Sequence, residues 1–239
     1  MRLPRAPHSW RLSPRRAIAV QRELAARVSR ESTGSPIRFV AGLDAAFPPD
    51  QRLCIAGVVL WDATEHRVIG SHTATRRLWF PYVPGLLSFR EAPALLAALR
   101  KLKHPPDALL CDGQGLAHPR RFGIACHVGL ICDLPSVGCA KSRLIGEFAP
   151  PGNQRGDSSP LSVRNELVGE VLRTQTGIRP LFVSIGHRID LPGARELVLR
   201  CAIRHRLPEP TRLAARLVAA ARKQAAPAGA GGTYSTPTR

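Results

Sequence analysis

Residues 107–146 constrain the fold most, because they contain a short apolar run that ends on a carboxylate. Residues 108–111 are bounded by charged and turn residues, a pattern typical of a buried strand in a parallel or mixed sheet. Asp112 follows at once, before Gly113 and Gly115. Open α/β sheets bind ligands at this position, the carboxyl end of a buried strand over a glycine-rich turn. A surface turn is the alternative interpretation, because Asp-Gly is also a common turn pair.

A second apolar run, residues 135–139, ends in the same way and is followed closely by Lys141. His118, Arg120 and Arg121 lie between the two runs in the sequence. One acid and several cations near two strand ends suit a phosphodiester ligand, because ammonium and guanidinium groups bind phosphate oxygens. The stretch therefore favours a phosphodiester site over a surface turn.

The hydrophobic pattern of the remaining chain predicts a single α/β domain with a mixed sheet flanked by helices. Residues 37–43, 53–61 and 67–75 are predicted strands joined by short connections, which implies antiparallel neighbours. The first of these strands ends on Asp44, and a helix over residues 90–101 follows the third. Further strands are predicted at residues 108–111, 135–139, 168–173 and 181–184. Helices are predicted at residues 122–131, 192–204 and 208–224, and one long loop at residues 147–165. From element order alone, a doubly wound sheet is a rival architecture.

The charge balance points to a polyanionic partner. Lys and Arg number 35 against 17 acidic residues, which gives a formal net charge of +18 and a pI near 11.3. A chain this basic is expected to bind nucleic acid or an anionic membrane surface. An arginine-rich composition typical of GC-rich genomes would account for part of the excess. No apolar run approaches the ~20 residues of a membrane span, so we predict no membrane insertion.

The two ends of the chain are predicted to differ from its centre. Residues 1–36 are basic, and Ser13-Pro14 is a helix-start signal ahead of an apolar stripe at helical spacing. An organellar transit peptide is the alternative interpretation of this segment. We predict a basic helical segment packed on the domain over residues 1–36, the main α/β domain over residues 37–224 and a disordered tail over residues 225–239.

The six cysteines form no CxxC pair, and most fall in predicted core elements. Buried, reduced thiols in a cytoplasmic protein are the expected state, and a zinc site is not expected.

Several sequence blocks carry a resemblance to a known family. Residues 107–146 resemble the core of Endonuclease V, the deoxyinosine-directed endonuclease family, in the pattern DGQGLAHPRRFGIACHVG. The resemblance extends to VAGLDAAF (40–47), PYVPGLLSFREAP (81–93), PLFVSIGHRIDL (180–191) and RLPEPTR (206–212). It covers roughly residues 15–222. It implies a ribonuclease H-like fold and a nuclease activity on DNA that contains deaminated adenine.

Metal-assisted phosphodiester cleavage requires carboxylates that converge on hard cations. The resemblance implies that Asp44, Glu91 and Asp112 are the catalytic acids and the ligands of Mg²⁺, with Mn²⁺ able to substitute. For Glu91 the alternative is the third position of a capping box that begins at Ser88. That alternative would place Pro93 inside the helix, where its missing N–H is needed, so a ligand role is favoured. The resemblance also implies that Lys141 is catalytic and holds the scissile phosphate or orients the attacking water.

The PYVPG segment predicts a rigid loop with an aromatic ring at its surface. Two prolines stiffen it, and such a ring suits insertion into a base stack when a damaged base is flipped out. The resemblance assigns Tyr82 to this wedge, whereas packing of Tyr82 on the fold is the alternative. It further implies a base pocket built largely from backbone. The full set of predicted substrate-binding residues is Tyr82, Pro84, Gly85, Leu86, Gly113, His118 and Arg120.

The activity that the resemblance implies is nicking of DNA at the second phosphodiester bond on the 3′ side of deoxyinosine, by a monomeric enzyme. An inosine-specific endoribonuclease acting on single-stranded RNA is one alternative, and a non-catalytic nucleic-acid-binding relative is another. The second alternative arises from Ala215, since family members commonly carry His or Asp three residues after the Arg of PEPTR. Ala215 puts the strength of a second metal site in doubt.

Overall fold

The computed structural model describes residues 1–225 and is built on one mixed sheet of eight strands. The strand order is β3-β2-β1-β4-β5-β8-β7-β6. In chain order the strands are β1 (Phe39–Ala46), β2 (Leu53–Asp62), β3 (Arg67–Arg77), β4 (Ala108–Cys111), β5 (Ser136–Ala140), β6 (Ser158–Val163), β7 (Glu166–Leu172) and β8 (Leu181–His187).

The pairing of the strands combines a β-meander with a parallel centre. β1, β2 and β3 are antiparallel neighbours, whereas β1, β4 and β5 run parallel. β8 then pairs antiparallel with β5. This arrangement confirms the predicted α/β, ribonuclease H-like mixed sheet and excludes the doubly wound alternative, whose strands would be mostly parallel.

Five helices of the described segment, residues 1–225, flank the sheet. They are α1 (Pro14–Ala25), α2 (Ser88–Leu99), α3 (Ile124–Cys132), α4 (Leu191–Cys201) and α5 (Glu209–Ala225). α2 and α3 cover the sheet face that carries Leu43 and Leu109, while α5 covers the opposite face of β1. The approach of α5 is so close that a Cβ on Gly42 would lie 2.1 Å from the carbonyl carbon of Pro210. Glycine is therefore required at position 42 for α5 to reach the sheet.

Two parts of the sequence prediction were wrong in extent. β1 continues beyond Asp44, because its register with β2 runs on to Ala46 opposite Ile55. The predicted loop over residues 147–165 contains β6, which pairs with β7 at one edge of the sheet and forms a single further bridge from Ser162 to Glu147. β6 contains Pro160, and proline is tolerated in edge strands because one side of the strand needs no ladder hydrogen bond.

The N-terminal segment forms a capped helix on the domain. The hydroxyl of Ser13 accepts a hydrogen bond from the Arg16 N–H, and Pro14 occupies the first helical turn. The side chains of Ala17, Val20 and Leu24 are buried by the packing of this helix. At the other end α5 runs to Ala225, and the rest of the predicted disordered tail lies outside the described residues.

All six cysteines are buried and unbonded to one another. None of the helices in residues 1–225 is both long enough and apolar enough to cross a membrane.

Candidate active site

Two parallel strands bring Asp44 and Asp112 together. β1 and β4 pair with Leu43 opposite Cys111, and the Asp112 N–H donates to the Leu43 carbonyl at 3.1 Å. Burial raises the pKa of Asp44 to about 7, and the negative charge of Asp112 adds to the rise. The two strands are neighbours as the sequence predicts, but only Asp112 directly follows its strand, because Asp44 lies two residues before the end of β1.

Glu91 reaches the same centre from α2. It is buried, and burial together with the charges of Asp44 and Asp112 raises its pKa to about 8. Ser88 does not cap the helix, since its hydroxyl is hydrogen-bonded to Nδ1 of His127 at 3.0 Å. Pro93 does lie inside α2, so the argument that used Pro93 against a helix beginning near Ser88 was wrong. Glu91 faces the other acids all the same.

Lys141 follows β5, the strand next to β4, and its ammonium donates to Oδ2 of Asp112. The charge of Lys141 lowers the pKa of Asp44 and so offsets part of the repulsion between the two aspartates. The side chain remains 48% exposed. It can therefore keep its hydrogen bond to Asp112 while it faces a ligand in the cleft.

The acids suit a divalent metal in chemistry and in charge. Hard cations prefer carboxylate oxygens, and a bound cation would offset the burial and the mutual repulsion that together raise the pKa values of Asp44 and Glu91. Within residues 1–225, no three carboxylate, imidazole or thiol groups are already arranged to enclose an ion. The three acids are therefore a fitting donor set whose side chains must still close around the metal.

A cavity of about 440 Å³ opens beside these acids. Eight of the predicted site residues line it: Tyr82, Pro84, Gly85, Glu91, Asp112, Gly113, His118 and Lys141. Asp44 lies behind this lining. Leu86 is fully buried in the core and is not part of the lining. Arg120 also lies outside the lining, because its guanidinium is turned towards the back of Gly85.

The Gly85 carbonyl of the PYVPG loop is fixed by three hydrogen bonds. It accepts hydrogen bonds from Nε2 of Gln21 at 3.0 Å, Nε2 of His118 at 3.0 Å and Nη2 of Arg120 at 2.6 Å. Gly85 has φ +76°, and a Cβ there would lie 2.6 Å from Nη2 of Arg120. Glycine is thus required both for the turn and for the close approach of the guanidinium.

His118 is held as a neutral ring. Its Nδ1 accepts the Arg120 N–H at 3.2 Å, so its proton lies on Nε2 and is donated to the Gly85 carbonyl. Burial, with the charge of Arg120, lowers the pKa of His118 to about 4. Both ring nitrogens of His118 are thus engaged within the protein, and the phosphate contact of His118 stays a prediction. His118 positions the loop and carries no charge near neutral pH.

Gln21 is a site residue that the sequence reasoning missed. It is 1% exposed on α1, and besides the Gly85 carbonyl it binds the Phe122 carbonyl at 3.1 Å and accepts from Nε of Arg120. Its position was the one signal that could have found it. Gln21 follows Ala17 by one helical turn and therefore lies in the buried stripe of α1, where an amide needs polar partners.

Tyr82 is exposed at the mouth of the cavity. Its side chain is 69% exposed, and the Arg90 guanidinium carbon lies 5.6 Å from its ring centroid. The Leu86 N–H closes the turn beneath it by donating to the Val83 carbonyl at 3.0 Å. The structure thus presents Tyr82 as a supported surface ring and excludes its packing into the fold.

Ala215 lies on α5, close to the acidic centre. The carbonyl of the preceding residue, Ala214, would be 3.2 Å from a Cβ on Gly57, which pairs with Asp44 across β1 and β2. The polar neighbours His205 and Arg212 are both engaged by Glu209, at 2.7 and 2.6 Å. Ala215 itself offers only a methyl group and therefore supplies no metal-binding atom.

A mixed sheet of this order, with acids meeting at two parallel strand ends beside a lysine, defines a ribonuclease H-like phosphodiester hydrolase. The family model for Endonuclease V matches residues 22–216. Endonuclease V from Nostoc punctiforme is 47% identical over 214 residues, 89% of this chain and 97% of the relative. The chain belongs to the Endonuclease V family and is a nuclease, a hydrolase that acts on DNA.

Solved structures agree with this assignment. The crystal structure of Endonuclease V from Streptomyces avermitilis is 42% identical and has a TM-score of 0.87, covering 94% of this chain and 99% of that one. Endonuclease V from Ciona intestinalis, in complex with a 24-mer DNA containing an inosine followed by a ribo-adenosine, is 26% identical with a TM-score of 0.76, covering 86% and 96%. Nucleases of this family generally use a divalent metal.

Proposed function

We propose that this chain is a Mg²⁺-dependent endonuclease that recognises deoxyinosine in DNA and initiates repair by nicking the second phosphodiester bond on the 3′ side of the lesion. The observation that carries the proposal is the meeting of Glu91, Asp112, Lys141 and the exposed Tyr82 ring in one cavity. The inosine-containing DNA bound by the Ciona intestinalis relative supports the choice of lesion. Mn²⁺ is expected to substitute, because carboxylate oxygens suit both ions.

We assign metal binding to Asp44, Glu91 and Asp112. A bound divalent ion would polarise a phosphoryl oxygen and lower the pKa of an attacking water. We assign to Lys141 the holding of the scissile phosphate, a role supported by its ammonium group, which is anchored on Asp112 and half exposed. The role of the chain is to fix these charges around one phosphodiester before the metal and the substrate arrive.

Base recognition falls to the PYVPG loop and the turn after β4. Tyr82 would fill the gap that a flipped base leaves in the stack. The Gly85 carbonyl already accepts three hydrogen bonds, so recognition at this residue would use its N–H. The backbone of Gly113 and the ring of Pro84 complete the proposed pocket, while buried Leu86 supports the loop through its turn with Val83. Arg120 and His118 support recognition indirectly, because their hydrogen bonds to the Gly85 carbonyl fix the loop.

A second candidate function is cleavage of inosine-containing RNA. The DNA bound by the Ciona intestinalis relative carries a ribo-adenosine directly after the inosine, so that protein accepts a 2′-hydroxyl at this position. The third candidate, a binding protein without catalysis, is disfavoured by the acids and lysine of the cavity. We propose that the chain acts as a monomer.

The deciding experiment is a nicking assay on end-labelled strands that match in sequence and contain deoxyinosine, inosine in RNA, or adenine. Wild type and Asp112→Asn are compared with Mg²⁺, Mn²⁺ and a chelator, with Asp50→Asn as an exposed-acid control. We expect Asp112→Asn to lose nicking and to keep measurable binding, because it removes a charge that repels phosphate. Near wild-type cleavage by Asp112→Asn would contradict the site, and faster cleavage of RNA would favour the second candidate.

A further inference from the structure

A second cavity, of about 620 Å³, lies between the N-terminal segment, the end of β3 and α2. Its lining is rich in arginine and contains no aspartate or glutamate. We call it the arginine groove and define it by six of the residues that line it: Arg11, Arg76, Arg77, Trp79, Arg90 and Arg100.

The arginines of this groove form no salt bridge in the described part of the chain, although Arg90 lies within electrostatic reach of Glu91. Eleven ion pairs are formed among residues 1–225, and none of them includes an arginine of the groove. Four of the five side chains are exposed, so their charges face solvent. A concave surface that carries only positive charge concentrates anions, because its low-dielectric walls focus the field.

Arg90 is the buried member of the groove. It is 5% exposed, and its Nη2 donates to a neutral acceptor, Oε1 of Gln51, at 3.0 Å. Its Nε is buried and has no hydrogen-bond partner in the described residues. Burying a cation without a counterion costs free energy, as does leaving its N–H unpaired. A phosphate oxygen in the groove would lower both costs.

Trp79 gives the groove an aromatic surface. It is 57% exposed, and the guanidinium carbons of Arg11 and Arg77 lie 4.3 and 4.9 Å from its ring centroid. Aromatic rings among arginines are the combination with which proteins bind strands of nucleic acid, through stacking and phosphate contacts. This pairing favours nucleic acid over an acidic lipid surface.

The groove continues from the acidic cavity. Tyr82 lines the cavity and lies 5.6 Å from the guanidinium of Arg90, which lines the groove. Helix α2 thus presents Glu91 to the acidic cavity and Arg90 to the arginine groove. From Arg90 to Arg100 the helix extends about 15 Å, which is comparable to about four nucleotides of one duplex strand.

We propose that the arginine groove binds the phosphate backbone of the nucleic acid beyond the Tyr82 loop, as a second contact site separate from the acids. The identity of the ligand rests on the proposed function, whereas the groove itself is defined by its charge. The groove would extend the footprint of the enzyme on DNA and hold the strand while Tyr82 enters the stack.

The test compares two triple variants that remove the same charge. Arg11→Gln/Arg77→Gln/Arg100→Gln alters the groove, whereas Arg179→Gln/Arg204→Gln/Arg222→Gln removes exposed arginines outside both cavities. The slope of log K against log salt is measured on duplexes with long and short flanks around deoxyinosine, and on the same duplexes with adenine. Thermal unfolding checks that both variants fold, and an Arg→Lys triple at the groove positions tests whether charge suffices.

We expect the groove variant to lower the magnitude of the slope by about 2.7, because each duplex phosphate that a side chain neutralises contributes about 0.9. The loss of affinity should be larger with long flanks and should occur on adenine duplexes as well. An equal change in both triple variants would overturn the proposal. So would loss of binding to phosphatidylserine vesicles in the groove variant with no change on DNA. Because adenine duplexes contain no lesion, they report on the groove independently of inosine recognition, and failure of the inosine activity would be seen separately.

Discussion

The hydrogen bonds of Gln21 lead to a quantitative expectation for Gln21→Leu. The substitution keeps the volume but removes the donor to the Gly85 and Phe122 carbonyls and the acceptor for Nε of Arg120. Each hydrogen bond removed costs about 0.5–1.5 kcal/mol, and groups left buried without partners bring the cost towards the upper end. We therefore expect the free energy of unfolding to fall by about 2–4 kcal/mol.

The same change should loosen the PYVPG loop, because the Gly85 carbonyl keeps only two of its three donors. Discrimination between deoxyinosine and adenine duplexes should then fall, measured as the ratio of kcat/KM values, while stability is measured by urea unfolding. Leu24→Ala is the control, since it lies on the same helix, is buried and does not touch Gly85. Leu→Ala in a core costs about 2–5 kcal/mol. If both variants lose the same discrimination, Gln21 acts only through stability and the loop argument fails.

Three other variants test the remaining parts of the site. Tyr82→Ala should reduce discrimination for inosine more in duplex than in single strands, where there is no stack to hold open, and equal losses would remove the wedge role. Ala215→His should lower the Mg²⁺ concentration for half-maximal rate, by up to about 10 to 100-fold; an unchanged metal titration would mean that position 215 is not needed. Glu91→Gln should stabilise the metal-free protein increasingly as pH rises from about 5 to 8. The raised pKa of Glu91 means that the folded state binds more protons than the unfolded one, so ionisation costs stability on the high-pH side. Parallel curves of stability against pH for the variant and the wild type would contradict the raised pKa of Glu91.

The acidic centre could be predicted because the local sequence pattern around each residue identifies it. Asp112 and Lys141 each follow a short apolar run, and strand pairing then places them side by side without further information. The mixed sheet was predictable for the same reason, since short connections fix antiparallel neighbours. β6 was missed because its sequence, SSPLSV, contains a proline and three serines, and its strand character depends on pairing with β7.

Features assembled from distant segments could not be predicted from local pattern. His118 was expected to contact phosphate, but its neutrality results from burial and from the Arg120 N–H, which only the folded chain provides. The arginine groove draws its charges from the N-terminal segment, β3 and α2. Gln21 occupies a helical stripe position that sequence reasoning treats as apolar, and its partners lie 64 and 101 residues away.

The hydrogen bond between Gln21 and the Gly85 carbonyl makes α1 and the loop parts of one thermodynamic unit. Coupling free energy is reciprocal: whatever holds the loop in place also holds the helix against the domain, and by the same amount. A DNA that orders the loop should therefore protect α1 from proteases and slow its amide hydrogen exchange. Helix α1 is then part of the functional unit as well as of the folded domain. The segment matched to the family begins at residue 22, one position after the side chain that anchors the loop.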